Sequence, residues 1–265
     1  MEASNRIERE RAYHDQRFAT ETRLREGKFY RGARSAFRLY QDSVSRLAKD
    51  TDVLEYGCGR GERSLELAHL ATSVHGIDIS EVGVSVANDE ARRRGLRNLR
   101  FSAMNAEALT FDDDSFDLVF GSGILHHLDL DASLREVARV LRPEGTAVFI
   151  EPLGVNPVLN WYRSQTPAAR TPDEHPLLPR DFETMRSHFS VVETDFRTLL
   201  SVGAVAAPRE SQAFDLLLGW LERVDKVLLR GPLRWQAWFC VISLQAPERS
   251  ASELAPGVGH SRPAN

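Results

Sequence analysis

The sequence predicts an α/β fold built on a mostly parallel sheet with helices on both faces. Short apolar or β-branched segments alternate with helical segments between residues 52 and 152. Strands that alternate with helices in this way form βαβ units with right-handed crossovers. The chain has 265 residues, of which 42% are hydrophobic, so it is long enough to bury a large core.

The elements can be followed in order from the amino end. Residues 1–48 contain two predicted helices joined around GKFYRGAR, and we interpret this region as a helical lid. The cofactor-binding core is predicted over residues 49–152. Its predicted strands cover residues 52–56, 73–78, 99–104, 116–121 and 146–152. The helical segments between them are ERSLELAHLA, EVGVSVANDEARRRG and ASLREVARVL.

The alternation stops after Pro152, where a proline-rich loop and helix region begins. We interpret residues 153–246 as cap insertions and the final strands. An apolar run at SVVETDFRTLL, an amphipathic helix at 214–231 and a last strand at 235–245 are predicted within it. Residues 247–265 are small, polar and contain proline and glycine, which predicts a disordered tail.

Composition restricts the classes of function. Lys and Arg number 34 against 38 Asp and Glu, a net charge of −4, so no nucleic-acid partner is expected. No apolar run reaches the roughly 20 residues of a membrane span, and the charged amino end does not resemble a secretory leader. Cys58 and Cys240 do not form a disulfide pattern. Together these observations favour a cytoplasmic protein.

A glycine-rich segment, VLEYGCGRGERSLELA at residues 53–68, joins the first predicted strand to a helix. Gly57, Gly59 and Gly61 are spaced one residue short of the dinucleotide fingerprint G-x-G-x-x-G. Glu55 precedes them, and its negative charge would repel a pyrophosphate and suit an ammonium group. The loop is therefore predicted to hold an amino-acid moiety and not a phosphate.

A second acidic residue, Asp78, ends the second predicted strand in GIDIS. A carboxylate at this position can accept hydrogen bonds from both hydroxyls of a ribose. The predicted ligand thus has a ribose and a cationic or zwitterionic part but no phosphate. S-adenosylmethionine fits that description.

Four segments in order carry a family resemblance: LEYGCGRG, GIDIS, MNAEALTFDDDSFDLV and LRPEGTAVFIEP. Over residues 50–152 the chain resembles the class I S-adenosylmethionine-dependent methyltransferases of the small-molecule type. The resemblance implies a Rossmann-like, seven-stranded, mostly parallel sheet and S-adenosyl-L-methionine as cofactor. It also implies which residues bind that cofactor. They are Glu55, Gly57, Gly59, Gly61, Asp78, Ile79, Asn105, Ala106, Gly121 and Ser122.

The implied roles follow the family pattern. Asp78 would bind the ribose, Ile79 would pack on the adenine face, and Ala106 would flank the adenine edge. Asn105 stands where many relatives have Asp, but its side-chain carbonyl can accept the same hydrogen bond. The loop glycines would surround the methionine part of the cofactor.

Two histidines in GILHHL follow the fourth predicted strand, where a methyl acceptor should approach. His126 or His127 could act as a general base, because histidine titrates near neutral pH. They could equally orient the loop, and the sequence leaves both readings open. Asp129 and Asp131 follow them, but the spacing matches no strong metal-ligand motif, so no metal is expected.

The acceptor pocket is predicted to be roofed by residues 1–48 and 152–188. Candidate substrate-binding residues there are Tyr13, His14, Tyr30, Glu174 and His175. Aromatic residues and a leucine-rich helix face in the insertions favour a small, fairly hydrophobic acceptor. O-methylation at a hydroxyl or carboxylate is expected only because it is the more frequent reaction. The alternatives are N-methylation of a small molecule, a nucleic-acid or protein methyltransferase, a nicotinamide oxidoreductase and a non-catalytic cofactor-binding protein.

Overall fold

A computed structural model describes residues 2–19, 28–166, 171, 173–208 and 211–248, with the side chains of 2–4 and 28–30 left out. A seven-stranded sheet forms its centre. The strands are β1 Asp52–Tyr56, β2 Ser73–Asp78, β3 Leu99–Ala103, β4 Phe116–Ser122, β5 Leu141–Pro152, β6 Phe189–Arg197 and β7 Phe239–Pro247. Their order is β3-β2-β1-β4-β5-β7-β6. β7 runs antiparallel to β5 and β6, and the other pairings among these strands are parallel. The mostly parallel sheet confirms the predicted fold class.

The strand order reverses at β1, which lies between β2 and β4. Crossovers on the two sides of such a point run over opposite faces of the sheet, and a crevice opens at the carboxyl ends of the strands. The predicted glycine loop and Asp78 both lie at this edge. This place of reversal is the topological switch point of the sheet, and the topology therefore places the candidate site there.

Helices cover both faces of the sheet. They are α1 Glu2–Ala19, α2 Arg34–Leu47, α3 Glu62–Leu67, α4 Glu81–Arg93, α5 Leu130–Val140, α6 Pro157–Ser164, α7 Asp181–His188 and α8 Gln212–Leu228. Side-chain caps fix four of the starts, at Ser80, Asp129, Asn156 and Ser211. For example, Ser80 accepts from the Gly83 backbone N–H at 3.0 Å, and Asp129 from that of Ala132 at 3.0 Å. Such caps satisfy N–H groups that lack a partner within the helix.

The predicted lid divides into two parts with different surroundings. Helix α2 buries Ala36, Tyr40 and Val44 in the core cluster on one face of the sheet, beside residues of β5 and β7. Helix α1 instead contacts α4 and lies over the switch point. Of the described part of residues 1–48, α1 is thus the covering element and α2 belongs to the helical layer.

The carboxyl-terminal insertions form a smaller unit beside the sheet. In α8, Phe214 and Leu218 are buried against a 3-10 turn at Ser201–Ala206. None of the helices in the described ranges is long and apolar enough to cross a bilayer. Strand β7 continues to Pro247, and residues 249–265 of the predicted tail lie outside the described residues.

Candidate functional site

A cavity of about 170 Å³ lies at the carboxyl edge of β1, β2 and β4, beneath α1. Its walls combine a glycine loop, three acidic residues, two histidines and an apolar surface. The lining residues used below are Gly57, Gly59, Asp78, Ile79, Asn105, Ala106, Ser122 and His127 from the core, and Arg6, Glu10, His14 and Phe18 from α1. The site is therefore built jointly by the sheet edge and the amino-terminal helix.

The glycine loop follows β1 and turns sharply into α3. Gly57, Gly59 and Gly61 have φ of 77°, 53° and 74°, a left-handed conformation that favours glycine. A Cβ on Gly61 would lie 2.3 Å from the Phe101 ring. Gly57 and Gly59 line the cavity, whereas Gly61 is the residue before α3 and lies outside its wall.

Asp78 closes the loop onto β2. One carboxylate oxygen accepts the Gly59 backbone N–H at 2.7 Å, and the other accepts that of Ser80 at 2.9 Å. A carboxylate oxygen can accept more than one hydrogen bond, and the side chain also faces the cavity. Asp78 can therefore hold the loop and still accept hydrogen bonds from a diol.

Glu55 lies beneath the loop and does not line the cavity. Its carboxylate accepts hydrogen bonds from the Ser64 backbone N–H at 3.1 Å and the Ser64 hydroxyl at 2.5 Å. Burial raises the pKa of Glu55 to about 8, although both bonds from Ser64 oppose the shift. In this position Glu55 joins β1 to α3 and supports the loop from below.

The other predicted cofactor-binding residues also divide into those that line the cavity and one that lies behind its wall. Ile79, Asn105, Ala106 and Ser122 line the cavity, and Gly121 lies one residue behind Ser122 in β4. The Asn105 side-chain oxygen accepts the Glu107 backbone N–H at 3.0 Å, which holds its amide at the cavity wall. The set fits S-adenosylmethionine, since two glycines without side chains face a carboxylate and an amide across one cavity.

Helix α1 is held over the cavity by contacts at three points along its length. Arg6 donates to the His127 carbonyl at 2.8 Å and pairs with Glu107. Arg9 makes a two-pronged pair with Asp173, with N···O distances of 2.8–3.0 Å. These contacts fix which face of the helix meets the cavity.

The third contact of α1 is with the start of α4. Asp15 accepts a hydrogen bond from the Ser80 hydroxyl and one from the Val82 backbone N–H at 3.3 Å. One turn further on, the Phe18 ring packs over Gly59, where a Cβ would come within 3.1 Å. The end of α1 therefore closes directly on the glycine loop.

The two candidate histidines pack side by side after β4, with ring centroids 4.2 Å apart, but only one of them reaches the cavity wall. His127 lines the cavity. His126 is buried behind the loop, and its Nδ1 lies 2.7 Å from Glu151 Oε2. The other Glu151 oxygen accepts the backbone N–H groups of Ile124 and Leu125, each at 2.9 Å. The pair of His126 and Glu151 thus holds the loop, while His127 is presented to a ligand.

Glu10 of α1 is a buried carboxylate at the cavity wall, with an exposed fraction of 6%. Its Oε2 lies 3.4 Å from His127 Nδ1 and 3.5 Å from His14 Nε2. Burial opposes ionisation, but the neighbouring His127, His14 and Thr171 outweigh it and hold the pKa of Glu10 below its usual range. Burial also lowers the pKa of His127, against the opposing effect of Glu10.

The remaining predicted acceptor residues lie around this end of the cavity. His14 lines the wall. Tyr13 lies outside the lining, with its ring 5.4 Å from that of His14. Glu174 Oε1 lies 3.9 Å from His126 Nε2, and the His175 backbone N–H donates to the His126 carbonyl at 2.8 Å. The side chain of Tyr30 lies outside the described part of the chain.

Sequence reasoning missed Arg6, Glu10 and Phe18 on α1. One signal for Glu10 was present, because Glu10 and His14 are four residues apart and share a helix face. Nothing local indicated that this face meets the loop after β4, which is more than 100 residues away. The partner of α1 is known only from the tertiary structure.

Comparison with known proteins gives a consistent assignment. Residues 54–149 match a family model described as a methyltransferase domain. Aklanonic acid methyltransferase DauC of Streptomyces sp. (strain C5) is 36% identical over 132 residues, which is 48% of this chain and 56% of that protein. The uncharacterized methyltransferase YcgJ of Bacillus subtilis (strain 168) is 34% identical over 122 residues, or 45% of this chain and 48% of that protein. The chain thus matches about half the length of these curated relatives.

A solved structure extends the likeness to most of the chain. The geranyl diphosphate C-methyltransferase of Streptomyces coelicolor A3(2) has a TM-score of 0.58 at 14% sequence identity, and the match covers 81% of both chains. At this level of identity the likeness concerns the fold.

Proposed function

We propose that this chain methylates a small and fairly hydrophobic acceptor at a hydroxyl or carboxylate oxygen. Through residues 54–149 it belongs to the class I S-adenosylmethionine-dependent methyltransferases. The observation that carries the proposal is the cavity beneath α1. Its glycine loop, Asp78 and Asn105 suit the cofactor, and His127 faces the same space. One enclosed space can therefore bring a cofactor and a small acceptor together.

The described residues have separate tasks in this proposal. S-adenosylmethionine, when bound, supplies an electrophilic methyl group. Asp78 and Asn105 offer acceptors to the ribose and the adenine, and the glycine loop leaves room for the methionine part. Alignment of two reactants in this way can contribute roughly 7–11 kcal/mol in favourable cases.

His127 is the histidine that we propose for the acceptor. Its ring faces the cavity, so it can orient the acceptor oxygen and take the proton of a hydroxyl. A carboxylate would need only orientation and exclusion of water. His126 is proposed to act through the loop, because its ring is occupied by Glu151.

The chemistry of the cavity supports a fairly hydrophobic acceptor. Ile7, Ile124 and Leu128 line it near His127, and among the described residues α1 covers it from above, which suits a small acceptor better than a polymer. DauC is named as an aklanonic acid methyltransferase, which favours a small-molecule acceptor here too. The two cysteines are free, so we further propose a reducing compartment such as the cytoplasm.

The test is a calorimetric titration with S-adenosylhomocysteine followed by an acceptor screen that measures release of this product. We expect one binding site and turnover with acceptors that carry a hydroxyl or carboxylate on an apolar frame. The control is an exposed substitution on α4, Asp89→Ala. Absence of binding would overturn the cofactor assignment. Turnover confined to amines, or to nucleic acid or protein, would overturn the acceptor assignment.

A further inference from the structure

We propose that Glu10, His14 and His127 form a binding site for a divalent transition-metal ion of the Zn²⁺ type. Glu10 Oε2 lies 3.5 Å from His14 Nε2 and 3.4 Å from His127 Nδ1. Bonds of about 2.0–2.2 Å from zinc to nitrogen or oxygen place two ligands of a tetrahedral ion about 3.3–3.6 Å apart. The separations from Glu10 to both imidazoles therefore match those of two ligands on one ion, and all three ligand atoms lie within 4.8 Å of one another.

The Glu10 carboxylate lies among polar neighbours, but neither of its oxygens is engaged in a well-aligned hydrogen bond with a described residue. It is 6% exposed. Both imidazoles lie nearby at ion-pair distance without forming an aligned hydrogen bond. A buried carboxylate in this state is costly unless it is paired or binds a metal. A cation between the three side chains would satisfy it.

The three side chains are held in place by contacts outside the proposed site. Glu10 and His14 lie one turn apart on α1, and Asp15 fixes that turn to the start of α4. Arg6 donates to the backbone carbonyl of His127 at 2.8 Å. The positive charge of Arg6 is paired with Glu107, so Arg6 does not neutralise the Glu10 carboxylate, which stays available to bind an ion. The site is thus formed before any ion arrives, which lowers the cost of binding.

The ligand set indicates the class of ion. Two imidazole nitrogens and one carboxylate oxygen suit Zn²⁺ and its first-row neighbours, and not the oxygen-rich sites of Ca²⁺ or Mg²⁺. Three protein ligands leave a coordination position open, as in catalytic zinc sites. All three residues line the cavity. We place the acceptor oxygen at the open position, where the ion would activate a hydroxyl as a Lewis acid and His127 would bind the ion instead of taking the proton itself. This last step alone rests on the proposed function.

The experiment uses the full chain after treatment with a chelator. Co²⁺ is titrated in while visible absorption is recorded, since a low-coordinate Co²⁺ site is strongly coloured, and Zn²⁺ is then added as competitor. We expect one equivalent of Co²⁺ to bind and Zn²⁺ to displace it. Glu10→Gln and His14→Gln should each weaken binding on the order of 100-fold or more, since even outer-shell changes cost 10–100-fold.

Matched controls separate ligand loss from general damage. Glu8→Gln removes an exposed carboxylate from the same helix, and His69→Gln removes an exposed histidine; both should bind Co²⁺ like the parent chain. Calorimetry with S-adenosylhomocysteine on every variant reports whether the fold and the cofactor site remain intact.

The outcomes are distinct. Colour that develops in the parent chain and is lost only in the Glu10 and His14 variants supports the metal site. Absence of binding, or equal binding in parent and variants, overturns it. If S-adenosylhomocysteine binds while Co²⁺ does not, the metal site fails and the proposed function stands. If Co²⁺ binds while S-adenosylhomocysteine does not, the metal site stands and the proposed function fails.

Discussion

At the scale of single residues, His126 and His127 show how neighbours in sequence receive different tasks. Because the ring of His126 is bonded to the buried Glu151, His126→Asn should lower the free energy of unfolding by about 1–3 kcal/mol. His127→Ala should lower turnover by about 10²–10⁴-fold if the acceptor is a hydroxyl. Denaturant unfolding and a product-release assay measure the two effects. A larger loss of turnover in the His126 variant would reverse the assignment.

Asp78 combines structural hydrogen bonds with the binding role that we propose for it. Asp78→Ala should weaken binding of S-adenosylhomocysteine by about 1.5–3 kcal/mol, or roughly 10- to 150-fold, the scale of hydrogen bonds to a charged group. The loss of its bond to the Gly59 backbone adds to the effect. Calorimetry checks the prediction against Asp89→Ala, an exposed carboxylate on α4. Equal affinity of the two variants would remove Asp78 from the cofactor site.

Glu55 should make stability depend on pH. Burial raises its folded-state pKa from 4.5 to about 8, so the folded protein binds a proton that the unfolded chain releases. Its contribution is fully present below pH 4.5 and is lost as the pH rises towards 8. Urea unfolding of the parent chain and Glu55→Gln at several pH values tests this. The difference between them should shift steadily across this range, and a constant difference would contradict the assignment.

At the scale of elements, α1 acts as a cover and α2 as part of the sheet layer. Deletion of residues 1–19 should therefore abolish turnover while the sheet stays folded, because the buried face of α2 is retained. Circular dichroism and unfolding check the fold, and product release checks turnover. Arg9→Ala is the mild comparison. Its exposed pair with Asp173 should contribute less than about 1 kcal/mol. Full activity of the truncated chain would contradict the role of α1.

At the scale of the whole molecule, ligand binding should raise the melting temperature by mass action. S-adenosylhomocysteine at 100 times its Kd stabilises the folded state by about 2.7 kcal/mol, which for a chain of this size is about 5–10 °C. NAD is the control, because the glycine spacing lacks the dinucleotide fingerprint. A differential scanning experiment with both ligands measures the shifts. A shift with NAD and none with S-adenosylhomocysteine would point to a different cofactor class.

The sequence was sufficient to predict the fold and many of the residues that line the cavity at the carboxyl edge of the sheet. Strands β1 and β2 occupy the predicted residues 52–56 and 73–78, because alternating strand and helix patterns depend on near neighbours in the chain. The glycine loop and Asp78 were recognisable for the same reason, since loop geometry and strand ends are written in a few adjacent residues. The fold predicted from them is confirmed, and residues 54–149 match a family model of a methyltransferase domain.

The side chains that meet at the acceptor end of the cavity could not be predicted from adjacent residues in the sequence. Which histidine faces the cavity depends on how the loop after β4 packs against Glu151. The meeting of Glu10 and His14 with His127 depends on where α1 docks, and the contact from Arg6 to His127 that fixes it spans 121 residues of chain. Periodicity and spacing carry no information over such separations. Only packing and charge pairing in the folded chain bring these side chains together.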